Sequence, residues 1–432
     1  MSKPHRTTRA TASRILAGIV IASVTTLTAC SSPQDGSDGD AAVTATPGPG
    51  GGDASSDTST TATESSAQPD AGAAATASAS PSVAAASPTA TDAAAPAVDT
   101  SQVPQSLTGL AQGLYADGQV SMTESVRKVL GDRAMDDLTT QVKVSGTTGQ
   151  WKGSGVAVLT VGNDVTLAVE APGGWQIVGG WWPSLGVDQP VLGGARHVLL
   201  LGSDARPGEA VDRSRADTIQ VVGVDGEGGG GVLGIARDSW VTMPSGGKAK
   251  INAALAQAGP EGQLSTVAAT TGLPIEGYLL TGFEDFTALV DALGGVTVDA
   301  PRSVEEVPAG QSTLDGPLAL LYSRHRKTLP DGDFGRSLHQ GIVLLGIAAQ
   351  TRARGPQGLP ALLSTASPHV RSNLSAAQAL TLAANVYVVD PGRVGQSVAK
   401  GGFGWSDDGQ SIVLLDQAAY DDFADFTDGN LD

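Results

Sequence analysis

A single cysteine, Cys30, occurs in the chain, so it can form no intramolecular disulfide, no cysteine-ligated zinc cluster and no redox pair of thiols. The five histidines are too scattered for a zinc motif. There is no Gly-x-Ser-x-Gly elbow and no glycine loop ending in Lys-Ser/Thr, which removes the usual serine-hydrolase and nucleotide-phosphate signatures. Aromatic residues make up 4% of the chain, and residues 31–100 contain none, nor any Leu, Ile, Lys or Arg. That stretch is almost wholly Ala, Ser, Thr, Gly, Pro and Asp, and it cannot bury enough apolar surface to offset its ordering entropy. Basic residues are also scarce: 26 Lys and Arg stand against 44 Asp and Glu, which disfavours binding to nucleic acid or to anionic lipid.

Lys3, His5, Arg6, Arg9 and Arg14 precede an apolar run from Ile15 to Leu27, the layout of a secretory signal. The run is shorter than the roughly 20 residues of a spanning helix, which favours cleavage over a retained anchor. Leu27-Thr28-Ala29-Cys30 resembles a bacterial lipobox, which implies that Cys30 becomes the lipidated first residue of the mature protein. The expected organisation is a signal peptide over 1–29, a disordered tether over 30–103, a small α+β accessory domain over 104–190 and a second domain over 194–432. Treated as a flexible coil, the tether has a span on the order of 45 Å, which supplies reach from a membrane.

Amphipathic stretches at 107–114 and 122–138 predict one or two helices, followed by strands at 140–144, 155–161, 165–171 and 175–182. Trp151, Trp175, Trp181 and Trp182 leave two readings open: core, the commoner fate of tryptophans on short strands, or a glycan-stacking surface. After the Gly/Pro-rich 183–194, the apolar runs 197–201, 218–225 and 232–241 are continuous rather than alternating, as in strands covered on both faces. Helical stretches at 253–270, 283–293, 316–325 and 336–352, with strands at 277–283 and 296–301, complete a layered α/β reading. The helix at 338–347 is apolar around much of its circumference, which suits either packing on the sheet or a lipid groove.

Three clusters at strand and helix ends carry chemistry. The first is Asp204 and Arg206 after the first apolar strand, with Arg213, Arg215 and Asp217 leading into the next. The second is Arg237, where an ion pair with Asp238 is the structural alternative. The third runs from Arg324, His325, Arg326 and Lys327 to Asp333, Arg336 and His339, where a solvated basic turn is the alternative. Arg324 and Arg326, two apart, share a target only if the helix ends there, and Leu-Pro-Asp-Gly supplies an end. Two aspartates with several arginines suit a pyrophosphate carrying a divalent cation: magnesium takes one or two carboxylates, and guanidinium forks take phosphate oxygens.

In order, GSDAR (202–206), RADT (215–218), IARDSWV (235–241), KINAAL (250–255), LDGPLALLYSRHR (314–326) and GDFGR (332–336) resemble the successive motifs of the LytR-CpsA-Psr family. The resemblance runs from about residue 197 to beyond 349. It implies a layered α-β-α domain with a mixed central sheet, here preceded by the accessory domain. It also implies that Asp204 and Asp217 hold Mg2+, that Arg237, Arg324, Arg326 and Arg336 grip a pyrophosphate, and that Arg206, Arg215, Asn252 and His339 add substrate contacts. Family members often have arginine where this chain has His339, which leaves that position a pH-dependent phosphate contact or an ordinary helix residue.

The expected activity is a magnesium-dependent phosphotransferase that attaches a polyprenyl-pyrophosphate-linked glycopolymer to a hydroxyl of peptidoglycan and releases polyprenyl phosphate. Asp204 is the expected general base and pyrophosphatase activity a side reaction. The expected location is the extracytoplasmic face of the cell membrane, through the lipid anchor. The alternative is a non-catalytic envelope lipoprotein that binds prenyl-phosphate lipids or wall glycans. Transcriptional regulation fits poorly with an exported acidic chain that lacks a DNA-reading module.

Overall fold

The computed structural model describes residues 98–431 apart from 118, 132–140 and 328. The signal segment, Cys30 and residues 30–97 of the tether lie outside the described residues, as does the end of the helix expected over 122–138. Residues 98–102, expected within the tether of 30–103, instead form a strand of the first sheet, which corrects that boundary. The first elements are β1 (Val98–Gln102), α1 (Thr108–Gln112), β2 (Ser121–Met122), α2 (Glu124–Leu130), β3 (Val142–Trp151), β4 (Ser154–Val161), β5 (Asp164–Ala171), β6 (Gly174–Trp182) and β7 (Val187–Val191). They form one sheet in the order β1-β3-β4-β5-β6-β2, with β7 also paired to β6.

Next come β8 (Arg196–Ser203), β9 (Ala216–Val224), β10 (Gly230–Gly234), the hairpin β11 (Trp240–Thr242) and β12 (Lys248–Lys250), α3 (Ala253–Thr271), β13 (Ile275–Thr281) and α4 (Phe283–Ala292). The hairpin β14 (Val296–Ala300) and β15 (Gly310–Leu314) leads to α5 (Gly316–Arg324), α6 (Asp333–Ala353), α7 (Leu359–Ala366), β16 (Arg371–Ser372) and α8 (Ala376–Val388). The chain ends with β17 (Val394–Val398), the hairpin β18 (Gly401–Trp405) and β19 (Ser411–Leu415), and α9 (Gln417–Asp425). The central sheet is six-stranded and mixed, ordered β16-β13-β8-β9-β10-β17. Strand pairs β13–β8 and β10–β17 are parallel and the rest antiparallel.

Helices on both faces explain why the strands read as unbroken apolar runs. Leu199, Leu201, Ile219, Val221 and Leu233 pack on one side with Leu255, Val267 and Phe423, which come from α3 and α9. On the other side Val198 shares a core with Leu359 and Leu363 of α7, Leu380 and Ala384 of α8, and Trp151, Val156 and Leu167 of the first sheet. The two sheets are therefore joined through one apolar layer. Strand β3 runs well beyond the 140–144 read from sequence because its polar Ser-Gly-Thr-Thr-Gly segment lies under α7. A Cβ at Gly149 would fall 2.2 Å from the Pro360 carbonyl oxygen, so only glycine lets the helix approach this closely.

The tryptophans of the first sheet belong to the packing. Trp151 is 2% and Trp182 0% exposed, and each indole N–H is satisfied, donating to the Leu374 carbonyl at 2.9 Å and to Thr166 Oγ1 at 2.8 Å. Trp175 and Trp181 are half-buried against the same two cores. The glycan-stacking reading of this set is thereby corrected: two rings have no open face and the other two pack at the core edge.

Candidate functional site

Strand β8 ends, β9 begins and β10 ends at the same edge of the central sheet, since Ser203 pairs with Ala216 and Gly234 with Gln220. Sequence-distant charges are thus carried to one place. Asp204, just past β8, accepts a hydrogen bond from the Arg215 N–H at 2.8 Å and stands in no ion pair among the described residues. Asp217, the second residue of β9, takes Arg237 Nη1 on Oδ1 at 2.5 Å and faces Arg336 Nη1 at 3.7 Å. Arg237 lies three residues beyond β10, where the Asn252 N–H donates to its carbonyl at 3.2 Å and ties it to the start of α3.

Helix α6 closes the cluster from the opposite side. Gly332, at φ 54°, occupies the left-handed region that glycine tolerates and opens the helix three residues earlier than the sequence reading placed it. Asp333 consequently occupies the first helical position, 7% exposed, with Arg336 Nη2 at 2.8 Å, Arg237 Nε at 3.8 Å and Arg326 Nη1 at 3.9 Å from its Oδ1. Neither of its oxygens makes an aligned hydrogen bond. Beneath the charges, Gln220 donates to the Ser337 carbonyl at 2.9 Å, and Gln340 donates to the carbonyls of Asp217 at 3.3 Å and Ser323 at 3.2 Å. These two amides tie α5, α6 and β9 together, so Asp217, Asp333 and Arg336 are held on regular elements while Asp204, Arg237 and Arg326 sit just past the ends of theirs.

Burial and charge act against each other here. Burial opposes the charge of Arg237, yet Asp217, with Asp333 and Asp238, raises its pKa above the ordinary arginine value. Burial lowers Arg336 despite Asp333, and the neighbouring Arg237 lowers it further. Burial likewise pushes the Asp333 carboxyl above the usual range, against the pull of Arg336 and Arg237. Asp238, the alternative partner for Arg237, is only 4.0 Å from its Nε and instead pairs with Lys250 at 2.9 Å.

Of the residues singled out from sequence, Asp204, Asp217, Arg237, Arg326 and Arg336 converge. Arg324 does not join their ion pairs: α5 ends at this residue, and its exposed guanidinium lies 4.1 Å over the Phe283 ring at the start of α4. Phe283 in turn lines both a cleft of about 400 Å³ with Thr287, Ala288 and Leu320, and a smaller one of about 80 Å³ with Ala205 and Arg206. Arg324 therefore borders the loop after Asp204 by a different route. Arg206 and Arg215 are exposed, and Asn252 is 4% exposed as the residue before α3.

His339 is 1% exposed and stacks on Tyr322 with ring centroids 4.3 Å apart, so the expectation of a phosphate contact is corrected: it has no surface to offer a ligand. Burial lowers its pKa to about 4, and the ring is neutral. Lys250 and Gln340 are site residues that sequence reasoning passed over, and Asp333 was placed in the third cluster without a role. Asp333 lay inside the quoted GDFGR motif, but an acid at a helix start reads as an ordinary dipole partner.

At the margin of the core shared with α7 and α8, two leucines of the central sheet are incompletely covered. Leu279 pairs with Leu200 and Leu200 with Gln220 across adjacent strands, and both leucines are only half-buried although they lie mid-sheet. Leu344 and Leu345 of α6 are half-buried as well.

The LytR_cpsA_psr family model matches residues 187–426, more than half of the chain. A Bacillus anthracis protein named polyisoprenyl-teichoic acid–peptidoglycan teichoic acid transferase TagU is 32% identical over 195 residues, 44% of this chain and 63% of that protein. The Enterococcus faecalis protein of the same name is 31% identical over 227 residues, covering 51% and 74%. The cell wall biosynthesis protein LcpA of Corynebacterium glutamicum is 30% identical over 220 residues, covering 40% and 42%. The chain thus spans less than two thirds of the length of several curated relatives. The crystal structure of Bacillus subtilis TagU aligns with a TM-score of 0.44 at 25% identity, over 55% of this chain and 97% of that one. From the ordered motifs and the matched span, the chain belongs to the LytR-CpsA-Psr family.

Proposed function

We propose that this protein transfers a glycopolymer from a polyprenyl-pyrophosphate carrier to a hydroxyl of peptidoglycan, as a phosphodiester, and releases polyprenyl phosphate. The observation that carries the reading is the cluster at the sheet edge: Arg237, Arg326, Arg336 and Lys250 converge with Asp217, Asp238 and Asp333. Burial and the neighbouring Arg237 both disfavour the charged form of Arg336, a tension that a dianionic headgroup would relieve. The half-buried Leu200 and Leu279, paired across adjacent strands of the central sheet, offer apolar surface for a prenyl chain. The names of the relatives, which describe teichoic acid transfer to peptidoglycan and cell wall biosynthesis, support the same class of reaction.

In this reading the acceptor oxygen attacks the glycan-proximal phosphorus, and the bond from that phosphorus to the bridging oxygen breaks. The bridging oxygen leaves with polyprenyl phosphate, and the acceptor proton passes to Asp204. Asp204 suits that role because it is free of the ion pairs that occupy Asp217. The arginines stabilise charge that builds on the leaving phosphate.

Asp204 and Asp217 offer hard oxygen donors at adjoining strand ends. Magnesium takes one or two protein carboxylates and completes its shell with phosphate oxygens and water, so these two aspartates would hold it together with the substrate. When bound, the ion would neutralise pyrophosphate charge. The binding-only alternative drew its sequence support from His339, which is buried in the helix packing.

Among the described residues no helix is long and apolar enough to cross a membrane. The lipobox at 27–30 supports a lipid anchor at Cys30 and a place on the extracytoplasmic face. Incubating the protein with a polyprenyl-pyrophosphate glycan, Mg2+ and peptidoglycan should yield polyprenyl phosphate and glycan-bearing wall. Binding of the carrier without any turnover would overturn the transferase reading.

A further inference from the structure

Four large apolar side chains stand open to solvent among the described residues, Phe403 at 68%, Trp405 at 76%, Leu414 at 49% and Tyr420 at 47% exposure, and the two most exposed are both on β18. Phe403 and Trp405 alternate with glycines along β18, so both project from one face of the hairpin with nothing bulky between them. This hairpin is fastened to the charged cluster at two points. The Phe403 ring meets Phe334, the neighbour of Asp333, at 5.7 Å in an edge-on contact. The Val413 N–H donates to the carbonyl of Asp238, the neighbour of Arg237, at 2.9 Å. An aromatic ledge thus borders the two residues that hold the centre of the ion-pair network.

We propose that Phe403 and Trp405 form the acceptor subsite, a platform on which pyranose rings of a glycan strand stack by their C–H faces. The exposed carboxylate of Asp407 at the hairpin tip can accept hydrogen bonds from sugar hydroxyls, while both Asp408 oxygens already accept from Ser406 and Gln410 within the turn. An open aromatic patch rimmed with polar groups marks an interaction surface. A lipid surface is the other partner such a ledge could take, but the two tip carboxylates would face anionic headgroups as like charges, so the glycan is the better chemical match. The proposal rests on the transferase reading for its purpose, while its binding test does not.

The test is a calorimetric titration of the full-length chain carrying Cys30→Ser, so that no lipid anchor obscures the result. The probes are soluble glycan strands released from peptidoglycan, with no carrier lipid present, and in parallel vesicles of phosphatidylglycerol. Phe403→Ala and Trp405→Ala should each weaken glycan binding about three- to ten-fold, and Trp405→Tyr should recover most of the loss. Both rings are solvent-exposed, so thermal melting should match that of the parent chain. Unchanged glycan affinity in the double alanine variant, or loss of vesicle binding with glycan binding intact, overturns the subsite. Absence of polyprenyl phosphate release in the transfer assay would sink the transferase reading and leave this binding result standing.

Discussion

Arg237 holds Asp217 at 2.5 Å across the mouths of two adjacent strands, while Arg336 faces the other oxygen of the same carboxylate at 3.7 Å. One aspartate thus orients two guanidinium groups that come from segments about a hundred residues apart in the chain. Substituting Arg237 by Ala should lower transfer by about 100- to 1000-fold, the usual loss for one preorganised electrostatic contact. Arg237→Lys should recover little, since a point charge cannot replace the planar fork. Rates of polyprenyl phosphate release decide both.

Arg324 and Arg336 should separate function from folding. Arg336 is 4% exposed and pairs with Asp333 at 2.8 Å, so Arg336→Ala strands a buried carboxylate and should cost on the order of 3 kcal/mol of stability along with activity. Arg324 is exposed over Phe283, so Arg324→Ala should lower transfer while changing stability by less than about 0.5 kcal/mol. Urea unfolding of the two variants, set beside their transfer rates, checks the contrast.

His339 makes stability depend on pH in a defined direction. Its pKa is lowered to about 4 by burial, against an ordinary 6.5, so the unfolded chain binds the extra proton first. The contribution is therefore complete above about pH 6.5 and is lost as pH falls toward 4, amounting to about 2 kcal/mol between pH 7 and pH 5. In His339→Phe, which keeps a ring against Tyr322, that part of the acid sensitivity should disappear from the urea midpoints.

Removing divalent cations with a chelator should stop transfer, and Mg2+ should restore it. Asp217→Asn should demand more Mg2+ for half-maximal rate, because it removes a charged ligand. An unaltered Mg2+ requirement would place the ion elsewhere.

Much of the fold was written locally. The continuous apolar runs at 197–201 and 218–225 form strands between two helical layers, whereas the run at 232–241 is divided, ending as a central strand at Gly234 and resuming in a separate hairpin at Trp240. The helical stretch read over 253–270 is found over 253–271 but is kinked at Gly259, φ 71°. What local pattern could not show was which partner each charge would meet. Arg324 and Arg326 are near neighbours in sequence, yet α5 ends at the first of them, and the two diverge toward Phe283 and Asp333. The tryptophans of the first sheet carried no mark that separates core from surface, because burial is decided by what packs over a strand: for Trp151 and Trp181 that is α7 and α8 from two hundred residues away, and for Trp175 and Trp182 it is the core that includes α1 and α2.

By itself, the amino-acid order determined the family, the layered strands and helices and the kinds of charged group available, because motif spacing and apolar periodicity are properties of short segments. Only the tertiary structure decided that Asp333 lies at the centre of the arginines, that His339 is withdrawn behind Tyr322, and that Phe403 and Trp405 remain open beside the site. Each of those outcomes depends on Coulomb and packing contacts between residues distant in the chain, and such contacts exist only once the sheet has brought its strand ends to a common edge.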